Sequence, residues 1–168
     1  MPATLGFDTA ADETAVAALR DGERLYSSSL SPPEGGRPAH ASQLLAEIES
    51  AAAAAGGWGA VDRIAVGIGP GSFTGLWIGI ATAKALGIEL GAVGTLAALA
   101  AGAAGAAAPD QALLAALDAR RGELVAAMYE PSGKVIWEPF VAAPTSLRTH
   151  FPTGRGASCR SGRRGRNR

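Results

Sequence analysis

The chain has 168 residues, room for one ordinary domain with a sizeable core, or one domain and part of a second. Its formal net charge is zero, yet residues 1–150 carry nine Lys/Arg against fifteen Asp/Glu, a net of −6, and residues 151–168 carry six arginines and no acid. An acidic body excludes a nucleic-acid footprint of its own, and a single cysteine, Cys159, excludes a disulfide framework or cysteine metal site within one chain.

Residues 4–8 read as a first strand. The N-terminus has Asp8 and no basic stretch, so it is not a secretory signal. Residues 15–19 and 24–29 read as the second and third strands, and Asp21-Gly22 between them is a strong hairpin signal. A polar Pro/Gly loop covers 31–38. A helix is predicted over 41–55, with Leu44, Leu45, Ile48, Ala52 and Ala55 on its apolar stripe and Gly56-Gly57 as its stop. Residues 64–67 form a fourth strand, 72–86 a second long helix, 91–94 a short buried strand and 95–107 a third helix. The uncharged window 90–109 approaches membrane-span length, but Ala and Gly dominate it, so it reads as that strand and helix and not as a span.

A second unit then begins. Residues 113–117, 124–129 and 135–140 read as three strands, with Ser132-Gly133 turning the last pair and 145–148 starting another helix. The first strand of each unit ends in an aspartate, Asp8 or Asp118, which suggests a duplication. A hairpin followed by alternating helix and strand gives an α/β fold with a mixed sheet and packed helices. The expected units are 1–108, 109–150, and a tail at 151–168 without Leu, Ile or Val that buries too little to order itself. The tail reads either as an RNA-binding arginine arm or as a truncated or out-of-frame end, and the second reading is adopted.

The most informative stretch is Gly67-Ile68-Gly69-Pro70-Gly71-Ser72-Phe73-Thr74-Gly75-Leu76-Trp77-Ile78-Gly79-Ile80-Ala81. Glycines at 67, 69 and 71 suit a tight strand-to-helix turn, and Ser72 suits a helix cap. Backbone amides at such a turn, around Gly69 and Gly71, could instead receive an anion, although the lysine and spacing of a P-loop are missing. Gly75, Gly79 and Ala83 stack along one side of the helix, and each glycine there costs about 1 kcal/mol against alanine. Close backbone packing would offset that cost, against the chain's own sheet or against a partner.

Asp8 reads as a turn residue or as a ligand for a metal–nucleotide complex, but Thr9-Ala10-Ala11 follows it and offers no glycine for close phosphate approach. Asp118 with Arg120 and Arg121 is a solvated charged turn, or a contact for phosphate or a partner carboxylate. His40 and His150 are the only histidines, and His40 has no second histidine four residues away, so no metal pair exists. No nucleophile–base set stands out around Ser72 or Cys159.

Phe7-Asp8-Thr9-Ala10, His40 followed by Leu44-Leu45, the glycine stretch above, and Leu117-Asp118-Ala119-Arg120-Arg121-Gly122-Glu123 together resemble the TsaB (YeaZ) family, in order and spacing from about residue 3 to 145. The resemblance implies an actin-like (ASKHA, ribonuclease H-like) fold with a complete first lobe and a partial second. It implies a non-catalytic subunit that supports threonylcarbamoyladenosine formation beside the tRNA anticodon. The TsaD-like paralogue would carry metal and transfer the threonylcarbamoyl group, and a TsaE-like ATPase would join them. No cofactor is expected on this chain, ATP and metal being expected on the partner subunits.

The resemblance further implies cytoplasmic location, homodimers when alone, and contact with tRNA only inside the complex. The two long helices would form the dimer surface, through His40, Leu44, Leu45, Ile48, Ser72, Phe73, Thr74, Gly75, Leu76, Trp77, Gly79, Ile80 and Ala83. Gly79→Leu is accordingly expected to abolish association and leave most of the first lobe folded. The family usually carries arginine where this chain has Trp77, and here the second lobe stops after about three strands. The competing readings are a glycoprotease-like or nucleotide-binding enzyme, and RNA binding through the arginine tail.

Overall fold

The structure, a computed structural model, describes residues 2–32, 36 and 38–150. The arginine tail with Cys159, and most of the Pro/Gly loop at 33–37, lie outside the described residues. So do the side chains of Arg120 and of residues 148–150.

Five strands form the first sheet: β1 (Ala3–Asp8), β2 (Thr14–Arg20), β3 (Glu23–Leu30), β4 (Val61–Gly67) and β5 (Glu89–Val93). Their spatial order is β3-β2-β1-β4-β5. β1, β2 and β3 pair antiparallel, whereas β4 lies parallel to both β1 and β5. This is the mixed sheet expected from a hairpin followed by helical crossovers. Asp21 and Gly22 both have positive φ, 52° and 82°, the geometry of a two-residue hairpin turn.

Alternation in β1 turns Ala3, Leu5 and Phe7 to one face, beside Val16, Ala18, Ile64 and Val66. Two helices cover that face, α1 (His40–Ala54) and α2 (Phe73–Leu86). α1 contributes Leu44, Ile48, Ala51 and Ala52 to the core, and full burial of each large aliphatic side chain contributes about 1.5–3 kcal/mol. It stops at Gly56 and Gly57, whose φ values are 95° and 94° and whose amides satisfy the carbonyls of Ala53 and Ala52. Ser72 caps α2 by accepting from the Gly75 amide, and Gly87 ends it at φ 66°.

Two expectations need correction here. β5 is not buried: it is the edge strand, pairing with β4 alone, and Leu90 and Val93 are exposed. The third helix, α3 (Thr95–Ala104), packs through Leu96 and Ala100 on Ala115, Ala127 and Tyr129 of the second sheet. A boundary at residue 108 therefore divides α3 from the core it helps to form.

The second sheet is an antiparallel meander of β6 (Leu113–Arg120), β7 (Glu123–Tyr129) and β8 (Val135–Ala142), followed by the short helix α4 (Pro144–His150). It repeats the antiparallel triplet of β1–β3, as the duplication predicts. β6 and β7 are joined by Arg121-Gly122, where Arg121 holds φ 57° without being glycine.

Candidate functional site

The C-terminal end of β1, the loop after β4 and the start of α3 converge on one carboxylate. Asp8 accepts the Ala10 amide at Oδ1 (2.7 Å) and the Thr95 hydroxyl at Oδ2 (2.7 Å). Thr95 Oγ1 in turn accepts the Gly69 amide at 3.2 Å, and the Thr95 amide donates to the Gly69 carbonyl at 2.9 Å. Gly67 lies so close to Asp8 that a β-carbon there would overlap the carboxylate. The turn reading of Asp8 thus has its hydrogen bonds in place.

The glycine loop closes on the chain itself. The Ser72 amide donates to the Ala10 carbonyl at 2.6 Å, and a β-carbon on Gly71 would overlap that same residue. Gly69 (φ 92°) begins a cis peptide bond to Pro70 and packs beneath Leu76. The anion reading of Gly69 and Gly71 is corrected on this ground: the amides of Gly69 and Ser72 are donated within the chain, and the Gly71 backbone rests on Ala10.

The small-residue stripe is corrected too. A β-carbon on Gly75 would overlap the Thr9 carbonyl, and one on Gly79 would lie 2.6 Å from Thr9 Oγ1 and 3.7 Å from Val66. The Thr9 hydroxyl donates to the Gly75 carbonyl at 2.7 Å. Gly75, Gly79 and Ala83 are buried, so the chain's own hairpin turn and sheet fill the groove and no outside backbone can enter. His40, Leu44 and Ile48 are likewise inside the core. Ser72, Leu76 and Ile80 are half-buried.

Four of the expected interface residues face solvent. Leu45 is 57 %, Phe73 76 % and Trp77 60 % exposed, with Thr74 exposed beside them. Because α1 and α2 cover one face of the sheet, side chains turned away from it share an outer surface. Phe73 and Trp77 pack edge to face, 6.0 Å between ring centroids at 68°, an arrangement contributing about 0.5–1.5 kcal/mol. These exposed apolar side chains make the outer surface of α1 and α2 the candidate contact surface.

His40 stands under that surface. It is the first residue of α1 and 4 % exposed. Its Nδ1 lies 2.8 Å from Thr14 Oγ1, and its buried Nε2 has no hydrogen-bond partner among the described residues. Burial pushes the imidazole below its ordinary value of 6.5, opposed by the nearby Ala11 backbone and by the Asp12 and Asp8 carboxylates.

A cleft of about 90 Å³ separates the two sheets, lined by Ala10, Ala11, Asp12, Gly71 and Ser72 on one side and Leu117 and Asp118 on the other. Two carboxylates on its walls disfavour a phosphate. The structure thus brings Asp118 and Gly71 together, and leaves Asp8 and Gly69 in the network behind them. Arg121 is exposed at the β6–β7 turn. Among the described residues no three His, Cys, Asp or Glu side chains cluster as metal ligands would.

Sequence reasoning missed Thr9, Thr14 and Thr95, the hydroxyls that tie these parts together. The only sequence signal was positional: each sits within a residue or two of a strand end.

Residues 30–154 match the family described as TsaD, tRNA N6-adenosine threonylcarbamoyltransferase. The chain is 36 % identical over 138 residues to the tRNA threonylcarbamoyladenosine biosynthesis protein TsaB of Escherichia coli K12, which covers 79 % of this chain and 57 % of that protein. It is 36 % identical over 99 residues to the tRNA N6-adenosine threonylcarbamoyltransferase of Syntrophobacter fumaroxidans, covering 51 % of this chain and 29 % of that one. Among solved structures, YeaZ from Pseudomonas aeruginosa superposes with a TM-score of 0.69 at 32 % identity, over 86 % of this chain and 68 % of that chain.

The chain belongs to the TsaB/YeaZ family.

The α/β class implied by the TsaB/YeaZ resemblance holds, and the fold is shared with YeaZ. The chain spans little more than half the length of the E. coli TsaB protein it matches. The chain thus matches both TsaB and threonylcarbamoyltransferase sequences.

Proposed function

We propose that the chain serves threonylcarbamoyladenosine formation on tRNA as a non-catalytic subunit, docking a TsaD-like paralogue through the outer surface of α1 and α2. The observation that carries this reading is the exposed set Leu45, Phe73 and Trp77 on two adjacent helices whose inner sides are fully occupied. Buried aromatic anchors supply most of the binding energy in protein interfaces, and here the anchors stand ready in an edge-to-face pair. Trp77, where the family usually has arginine, makes the contact apolar.

Three features support a non-catalytic role. The Asp8 carboxylate is engaged by Ala10 and Thr95. The hairpin after it carries Thr9-Ala10-Ala11 pressed against the loop where phosphates would need room. Ser72 caps a helix, while His40 is bonded to Thr14, so the two do not form a nucleophile–base pair of a peptidase. In this reading ATP and metal belong to the TsaD-like and TsaE-like subunits, tRNA meets the chain only within the complex, and the chain pairs with itself when alone. A cytoplasmic site of action fits, and among the described residues no helix is long and apolar enough to cross a membrane.

Sedimentation velocity of the full chain, with and without the threonylcarbamoyltransferase of the same organism, tests the reading. A complex is expected, weakened at least tenfold by Trp77→Asp or Phe73→Asp. A complex unchanged by both substitutions, or no complex with the wild-type chain, overturns it.

A further inference from the structure

The described residues bury their apolar side chains in two separate cores. Strands β1, β2 and β4 with α1 and α2 build one, and α3 with β6 and β7 builds the other. The chain passes from the first body to the second once, at Gly94 between β5 and α3. The cleft of about 90 Å³ lies between the two bodies, with Ala10 and Gly71 on one wall and Leu117 on the other. Two bodies joined by one covalent crossing and parted by a cleft swing about that crossing unless something pins them.

Thr95 stands at the border. It is the first residue of α3 and is buried. Its hydroxyl donates to Asp8 Oδ2 at 2.7 Å and accepts the Gly69 amide at 3.2 Å, and its own amide donates to the Gly69 carbonyl at 2.9 Å. Asp8 comes two positions before Ala10, and Gly69 two before Gly71, so these bonds lie at the root of both first-body segments that wall the cleft. Asp8 is itself held in place: its Oδ1 accepts the Ala10 amide, and the Gly67 backbone lies close against its carboxylate. A buried hydroxyl with a carboxylate as acceptor on one side and an amide as donor on the other makes strong, mutually polarising bonds. No side chain is shared between the two buried cores. The angle between them therefore rests on contacts across the border, and all the bonds of the Thr95 hydroxyl and amide given above cross it.

We propose that Thr95 is a clamp that holds the two bodies at the present width of the cleft, and that without its hydroxyl the second body swings about Gly94. Thr95 acts by positioning. The clamp is a property of this chain alone and goes beyond the docking reading above: α1 and α2 pack within the first core, with Gly75 and Gly79 seated on Thr9, and these contacts do not involve Thr95.

Pulsed dipolar spectroscopy of the full chain decides it. Spin labels are placed through Ser50→Cys on α1 and Ser132→Cys at the turn before β8, both exposed positions, with Cys159→Ser in the background. Dilution in unlabelled chain restricts the reading to distances within one molecule. The labelled chain with Thr95 intact, and the same chain with Thr95→Ser, which keeps the hydroxyl, are expected to give one narrow distance. Thr95→Val, close to threonine in shape, is expected to give a broadened and displaced distribution. A folded Thr95→Val with the narrow distribution, a Thr95→Ser as broad as Thr95→Val, or a broad distribution with Thr95 intact overturns the clamp. Native-state hydrogen exchange of the unaltered chain keeps the test decisive should Thr95→Val lose its folded spectrum. The Gly69 and Thr95 amides are expected to exchange about tenfold or more faster than the Leu5 and Val16 amides of the first core, as a swing short of unfolding requires. Exchange of all of them at one rate means that the border opens only when the chain unfolds, and overturns the proposal.

Discussion

The Thr95 hydroxyl donates to the Asp8 carboxylate at 2.7 Å across 87 positions of sequence. This bond joins the end of the first strand to the first turn of the helix that packs on the second sheet, so it spans the border between the two cores. Thr95→Val keeps the shape and removes the hydroxyl. It deprives Asp8 of a donor and the Gly69 amide of an acceptor, and unsatisfied polar groups cost about 1–3 kcal/mol each. Urea unfolding is expected to show a loss of about 2–3 kcal/mol, and a loss under 0.5 kcal/mol would refute the account.

Gly79→Leu is expected to fail as an association mutant because it fails as a fold. The added side chain meets Thr9 Oγ1 and Val66, and overpacking of this kind costs about 1–3 kcal/mol or more. Gly75→Ala should be as severe although it adds a single carbon, since the obstacle is the Thr9 carbonyl. Thermal melts should show both variants lowered by many degrees; a native-like Gly75→Ala melt would contradict the packing described.

Trp77→Asp should do the opposite. The side chain is 60 % exposed, so its replacement is expected to change stability by less than about 1 kcal/mol, while any complex made through the outer surface weakens. Parallel melts and sedimentation separate the two effects.

Stability should fall in mild acid. The fold holds the His40 imidazole below 6.5 through burial, so between the folded value and 6.5 the unfolded chain binds more protons. Its contribution is complete above pH 6.5 and is lost as the pH falls through the folded value. Urea midpoints measured from pH 7.5 to 5.0 should decline, with a shallower decline in His40→Asn.

Arg121 holds φ 57° in a two-residue hairpin turn, where residues other than Gly, Asn and Asp bear about 1–2 kcal/mol of strain. Arg121→Asn is expected to raise stability by about 1 kcal/mol in the same assay.

Much of this fold could be read from the chain. Strands bounded by Asp21-Gly22 and Ser132-Gly133, helices stopped by Gly56-Gly57, and the glycine-rich bend before Phe73 are local signals, and local physics decides them. The direction of the Gly75/Gly79/Ala83 stripe was not legible. Periodicity says that residues share a side and does not say what lies opposite, and the occupant, Thr9, is 66 positions from Gly75. The edge position of β5 was hidden for the same reason: an Ala/Gly/Val strand looks alike at the centre and the border of a sheet. Arg121 gave no warning because nothing in an arginine signals a left-handed backbone.

The Ala10 carbonyl receives the Ser72 amide, and that short bond fixes what the first hairpin can become. A hairpin with glycines able to swing outward would leave a hollow before the second helix, wide enough for a guest molecule. Here the Ala10 oxygen stands in that space and receives the amide that opens the second helix, so the aromatic helix starts from a seat on the first hairpin.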